Sequence, residues 1–225
     1  MTLYLHETLD PVRAPGAHTR YLDELGHVVR TQGNAEGSAG GRCIAVWVPI
    51  FLTGQWPQIV SFWEMPGGWD GFAEHFDTHP ELFHPPLERW YGERSGGFDR
   101  VLVGSDYSPT LDEITERGLR APVVLQETVR LRPGSAPDYV GALGEVKTRL
   151  ADRPDVDVLG AYSVAFRNAG EVLVLWAFPD VAALVRTRSA PEQYPELQEW
   201  AKVSAGLELA NTGVVLRPTG WSALR

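Results

Sequence analysis

Residues 3–9 alternate, with Leu3, Leu5, Glu7 and Leu9 on one face and Tyr4, His6 and Thr8 on the other. A period of two over this length predicts a strand. Pro11 and Pro15-Gly16 break it. From residue 17 to 29 the apolar positions are Tyr21, Leu22, Leu25, Val28 and Val29, a spacing that predicts a helix with one buried stripe. The glycine-rich run 33–41 reads as a loop. Two β-rich runs, 43–52 and 58–65, flank Thr53-Gly54 and predict a hairpin. Residues 69–76 read as a helix that stops before Pro80, because the residue preceding a proline disfavours α geometry. A second helical pattern covers 82–90, and 99–103 reads as a last strand. The order β-α-β-β-α-β is that of a ferredoxin-like unit.

The same order then repeats. The stretch 59–90 returns as 172–200: Trp63 and Trp176 lie 113 residues apart, while Leu87 with Leu197 and Trp90 with Trp200 each lie 110 apart. Glu7-Thr8 matches Glu127-Thr128 at 120, and Pro15-Gly16 matches Pro133-Gly134 at 118. Tyr139, Val140, Leu143, Val146 and Leu150 make the equivalent helix stripe. A strand over 122–130, a hairpin over 156–166 and 171–178, helices over 181–187 and 192–202, and a strand over 213–216 complete the second copy. A long fixed period marks a duplicated unit. The expected organisation is a first repeat over 1–104, a helical linker over 105–121 and a second repeat over 122–225. The linker carries Pro109, an acidic Asp112-Glu113 and Gly118, in the order of a short helix.

A four-stranded sheet with helices on one face leaves its other face apolar and in need of cover. Two copies in one chain can cover each other. The expected class is therefore α+β: two ferredoxin-like βαββαβ repeats whose antiparallel sheets form one α/β barrel, which also removes exposed sheet edges.

Composition narrows the partners. The 225 residues carry a net charge of −9 and a pI near 5.1, against the basic footprint that nucleic acid or anionic lipid requires. The single cysteine, Cys43, fits a reducing compartment. No apolar run approaches the roughly 18 residues of a membrane helix, and the N-terminal stretch lacks the basic start of a signal peptide. A cytoplasmic protein, with a small-molecule substrate and compatible with a homodimer, is expected. No glycine-rich phosphate loop, G-x-S-x-G elbow or Cys-His arrangement occurs, which disfavours nucleotide binding and triad hydrolysis.

The chain resembles NIPSNAP-type proteins of the dimeric α/β-barrel superfamily. The residues that carry the likeness are Glu127-Thr128, Pro133-Gly134, Val174-Leu175-Trp176, Arg186-Thr187-Arg188, Pro191-Glu192 and Trp200. The first repeat departs from it with Glu74-His75 and His79 where arginine is expected. The superfamily includes cofactor-free monooxygenases, polyketide cyclases, haem-dependent dismutases and aldoxime dehydratases, so the resemblance implies a fold without choosing a reaction.

All six histidines, His6, His18, His27, His75, His79 and His84, lie in the first repeat, which points the search for a working pocket there. His75, His79 and His84 stand where the second copy has Val185, Ser189 and Tyr194. His75 and His79 at i, i+4 offer general bases or ligands, or simply a polar helix end suited to the helix dipole. Pro80 spoils their register for zinc, and no cofactor is expected, with haem on a single axial histidine left open. His6 is a candidate base if its strand face lines the barrel, and a structural group otherwise. Glu7 and Glu127, each among apolar neighbours, are acids whose pKa burial would raise, or framework groups that pair with arginine. Trp47, Trp56, Tyr4 and His84 are candidate substrate contacts, the two tryptophans flanking the first hairpin. The expected function is an enzyme moving protons with His75, His79, His6 and Glu7 in the barrel of the first repeat. Cyclisation, isomerisation, elimination and cofactor-free oxidation, in specialised metabolism, all fit. A haem-dependent enzyme and a non-catalytic binding or scaffold protein are the alternatives.

Overall fold

A computed structural model describes residues 1–32, 41–78 and 92–225. The first repeat contains β1 (Leu3–Pro11), α1 (Ala17–Gln32), β2 (Arg42–Pro49), β3 (Ile59–Met65), α2 (Gly68–Thr78) and β4 (Arg94–Gly104). After α3 (Leu111–Glu116) come β5 (Val123–Leu131), α4 (Ala136–Arg149), β6 (Asp157–Val164), β7 (Glu171–Phe178) and α5 (Val181–Ser189). A 3₁₀ turn (Pro191–Gln193), α6 (Pro195–Leu207) and β8 (Glu208–Pro218) finish the second repeat. The helical pattern read over 82–90 lies outside the described residues.

The strands close a barrel in the order β1-β3-β2-β8-β5-β7-β6-β4, every pair antiparallel, with β4 returning to β1. Two seams join the repeats: β2 meets β8 from Trp47↔Pro218 to Pro49↔Leu216, and β4 meets β6 from Leu102↔Val164 to Gly104↔Tyr162. The α+β barrel expected from the duplicated pattern is present.

Alternation assigns the faces. Leu9 of β1 packs outward with Tyr21 and Leu25 of α1, and in the second repeat Tyr139, Leu143 and Val146 of α4 cover β5 and β7. Tyr4 and Phe62 point inward, where Tyr162 and Trp47 meet them. The Tyr4 and Phe62 rings stack at 5.3 Å, and Tyr162 stands edge-on to both at 5.0 Å. Trp47 lies 5.9 Å from Phe62. An eight-stranded barrel is just wide enough for its own side chains to fill, and these four rings do so here.

The linker closes one end of the barrel. Its helix α3 begins with a capping box, Thr110 accepting from the Glu113 N–H while the Glu113 carboxylate accepts from the Thr110 N–H. Leu111 and Ile114 join the interior cluster, and Tyr4 donates to the Pro109 carbonyl at 3.2 Å. Glu64 accepts the Leu111 N–H at 2.6 Å, and Arg42 bridges Glu64 and Asp112 at 2.5 and 2.7 Å. No helix among the described residues is long and apolar enough to cross a membrane.

Candidate active site

Each repeat builds the same trio of side chains on the outer face of its sheet. In the first, Glu7 of β1 lies opposite Ser61, and Trp63, two residues further along β3, reaches back to donate its indole N–H to Glu7 at 3.0 Å. In the second, Glu127 of β5 lies opposite Val174, and Trp176 of β7 donates to Glu127 at 2.7 Å. A buried tyrosine comes from the covering helix in each case, Tyr21 from α1 and Tyr139 from α4. The two carboxylates are matched by register and not by chance, since Leu5↔Trp63 and Leu125↔Trp176 are equivalent pairs.

Burial pushes both acids above the ordinary carboxylate range. For Glu7 the Ser61 hydroxyl and Trp63 oppose that push, and Asp99 adds to it. For Glu127 the opposing groups are Trp176, Arg188 and Asn211, and Glu208 adds to the rise.

The second trio opens onto a pocket of about 330 Å³ between the sheet and helices α5 and α6. Trp176, Phe178, Tyr194 and Trp200 supply its apolar walls, and Glu127, Glu208, Asn211 and Arg188 its polar groups. Local structure explains each placement. Asp180 caps α5 by accepting the Ala183 N–H at 2.7 Å, Ala183 and Leu184 bury one face, and the chain leaves the helix at Ala190 before Pro191. Arg188, in the last turn, then lies 3.9 Å from Glu127. Tyr194 is anchored by donating to Asp155 at 2.5 Å. Trp200 and Ser204 are one turn apart on α6 and are the residues it buries. Tyr139 donates to Glu208 at 3.2 Å from below.

The residues predicted from sequence are dispersed. Tyr4, His6 and Trp47 come together inside the barrel, all fully buried. His6 lies across the barrel from its own counterpart, Nε2 donating to the Gln126 carbonyl oxygen at 2.9 Å, and burial lowers its pKa to about 4. Glu7 is the neighbour of His6 in sequence but points out of the barrel, so the two serve different environments. His75 is half-buried on α2 beside the Phe76 ring at 5.4 Å. Trp56 stands exposed in a groove with Arg13, Pro15 and His18. His79 and His84 lie outside the described residues. The interior expected to hold substrate is filled by Tyr4, Phe62, Tyr162 and Trp47, and the pocket lined by the partly buried Glu127 is in the other repeat, outside the barrel.

Sequence reasoning missed Glu208, Asn211, Arg188 and Tyr194 as site residues. Arg188 was visible only as part of the NIPSNAP-like motif. Glu208 and Asn211 precede the run read as the last strand, and β8 starts five residues earlier than that run because its first residues pair with β5 while most of their side chains stay in solvent.

No protein-family model matches the chain, and no curated protein matches it. Solved structures do. An anthrone oxidase-like protein superposes with a TM-score of 0.69 at 12% identity, covering 97% of this chain and 91% of its own. The shared fold is a closed antiparallel α+β barrel built from two ferredoxin-like repeats. A haem-binding protein from Thermus thermophilus matches at TM-score 0.55 and 16% identity, over 99% of this chain and 92% of its own. A NIPSNAP domain protein from Burkholderia xenovorans matches 44% of this chain at 16% identity, with 95% of its own length and a TM-score of 0.37. At these identities the likeness extends to architecture only.

Haem requires an axial ligand over an apolar pocket. Among the described residues no histidine lines the second-repeat pocket, His6 is enclosed by packed rings, and His18 opens on a surface groove. Tyr194, another candidate ligand in that pocket, spends its hydroxyl on Asp155, so the donor set there does not fit haem. No group of three metal-ligating side chains occurs among the described residues either.

Proposed function

We propose that the protein is an enzyme that moves a proton on a partly apolar small molecule held in the second-repeat pocket, with Glu127 as the acid–base group. The observation that carries this reading is a carboxylate with a raised pKa among the polar groups of an aromatic-walled pocket. A carboxylate made more basic by burial is suited to abstracting a proton near neutral pH. On a carbonyl substrate, Glu127 takes the proton from the adjacent C–H bond and the electron pair moves to the carbonyl oxygen as an enolate. Return of that proton at the same or another carbon gives exchange or isomerisation, and departure of a group gives elimination. The architecture shared with an anthrone oxidase-like protein supports small-molecule chemistry on such a scaffold.

Glu7 has the same strand position and the same tryptophan donor, and it is proposed as the lesser centre. Its carboxylate is already engaged by both Ser61 and Trp63. The filled barrel interior favours a scaffold reading for the interior alone, because a cavity of about 330 Å³ lies outside it. The test is hydrogen–deuterium exchange in D₂O, followed by NMR, on a panel of enolisable aryl ketones with and without a basic amine. Catalysed exchange is expected for some members, and Glu127→Gln should lower its rate by about 100-fold. Absence of catalysis across the panel, or an unchanged rate in Glu127→Gln, overturns the reading.

A further inference from the structure

The two repeats differ in the strand that pairs beside the partly buried acid. β1 pairs with β4 so that Pro11 meets Arg94 and Glu7 meets Asp99. β5 pairs with β8 in the same way, but there Leu131 meets Glu208 and Glu127 meets Gly213. A cation in the first repeat is thus replaced by an anion in the second. In the first, Arg94 and Asp99 pair at 3.5 Å, and Glu7 receives the Ser61 hydroxyl. In the second, Val174 takes the place of Ser61 and offers no donor.

The pocket therefore contains two carboxylates that the protein leaves short of positive charge. Glu208 receives the Tyr139 hydroxyl, and no ion pair reaches it among the described residues. Among the described residues Glu127 pairs with Arg188, at 3.9 Å and with 69% of that side chain exposed, a geometry that contributes little. Around these acids stand Trp176, Phe178, Tyr194 and Trp200, each at most 7% exposed. Aromatic faces attract cations through their quadrupoles, and carboxylates attract them by charge and hydrogen bonding. Both kinds of wall ask for the same ligand chemistry.

We propose that the second-repeat pocket takes an amine: a small molecule with an apolar, ring-sized body and a protonated nitrogen held by Glu208 against the aromatic wall, beside Glu127. This rests on the reading of that pocket as the substrate site. The overall charge of −9 favours the approach of such a cation.

The test uses three probes of one shape on the full chain: 2-naphthylmethylamine, 2-naphthylmethanol and 2-naphthoic acid. Binding is followed by calorimetry and by quenching of tryptophan fluorescence. The amine should bind at least about tenfold more tightly than the alcohol, and the acid most weakly. Glu208→Gln, nearly isosteric, should erase the advantage of the amine over the alcohol. Arg188→Ala should widen the advantage of the amine over the alcohol, which keeps the idea testable if the first variant folds poorly. Equal or tighter binding of the alcohol or the acid overturns the amine assignment and leaves the pocket reading standing. Failure of all three to bind overturns both.

Discussion

Acid should weaken this fold through His6 in particular. The imidazole sits inside the barrel at 0% exposure, where forming an imidazolium would strip it of water. The Gln126 hydrogen bond works against that penalty, and the Arg100 guanidinium, opposite in register, adds to it. Arg100 is itself paired with Glu171 at 2.7 Å, so its charge stays in place as His6 titrates. The outcome is a pKa near 4 in place of 6.5. A histidine depressed by folding binds its proton better in the unfolded chain. Its contribution to stability is therefore complete above about pH 6.5 and is lost as the pH falls towards 4. The displacement from 6.5 to about 4 corresponds to about 3 kcal/mol, a large share of a typical domain's stability. Urea midpoints for the native protein and for His6→Gln, measured from pH 8 to pH 4, isolate the effect. The other titrating groups are common to both proteins and cancel in the difference. The variant should gain about 3 kcal/mol relative to the native protein over that range. Parallel curves, or a His6 ring resonance titrating near its ordinary pKa, would refute the argument.

Glu127 should act with the opposite sign. Its pKa is raised in the fold, so native stability is highest when it is protonated and falls as the pH climbs above the ordinary carboxylate value. Glu127→Gln, which keeps an acceptor for Trp176, should therefore raise the melting temperature at pH 8 and make little difference near pH 4; a uniform effect across pH would count against burial as the cause. Inside the barrel, Phe62 contacts Tyr4, Tyr162 and Trp47, and none of these rings has room to collapse without moving the others. Phe62→Ala should cost about 3–5 kcal/mol in chemical denaturation, and a cost below about 1 kcal/mol would mean the interior is not filled.

The chain's local pattern was enough for the fold. Alternation at residues 3–9 and its return in the second copy, the helix stripes that include Leu25 and Leu143, and the linker's Pro109, Asp112-Glu113 and Gly118 are short-range signals, set by the geometry of a strand or a helix turn. Duplication then turned two open sheets into one closed barrel, because each has an apolar face that only another sheet of the same kind covers. The same pattern showed that Glu7 and Glu127 are equivalent and that His6 and Glu7 point to opposite faces of the sheet.

What it could not show is which face is inside and where space remains. Whether Tyr4, His6 and Trp47 line a cavity or fill one depends on rings that come together from β1, β2, β3 and β6, and their summed volume is a property of the closed barrel alone. The pocket beside Glu127 depends on β8 entering the sheet at Glu208 and on α5 and α6 arching over the sheet, so that β5 meets segments far from it in the chain. Histidines marked the first repeat because their chemistry is visible residue by residue. The second repeat's acids, donors and aromatic walls are ordinary residues, and they become a candidate site only where the tertiary structure places two carboxylates and four rings around one opening.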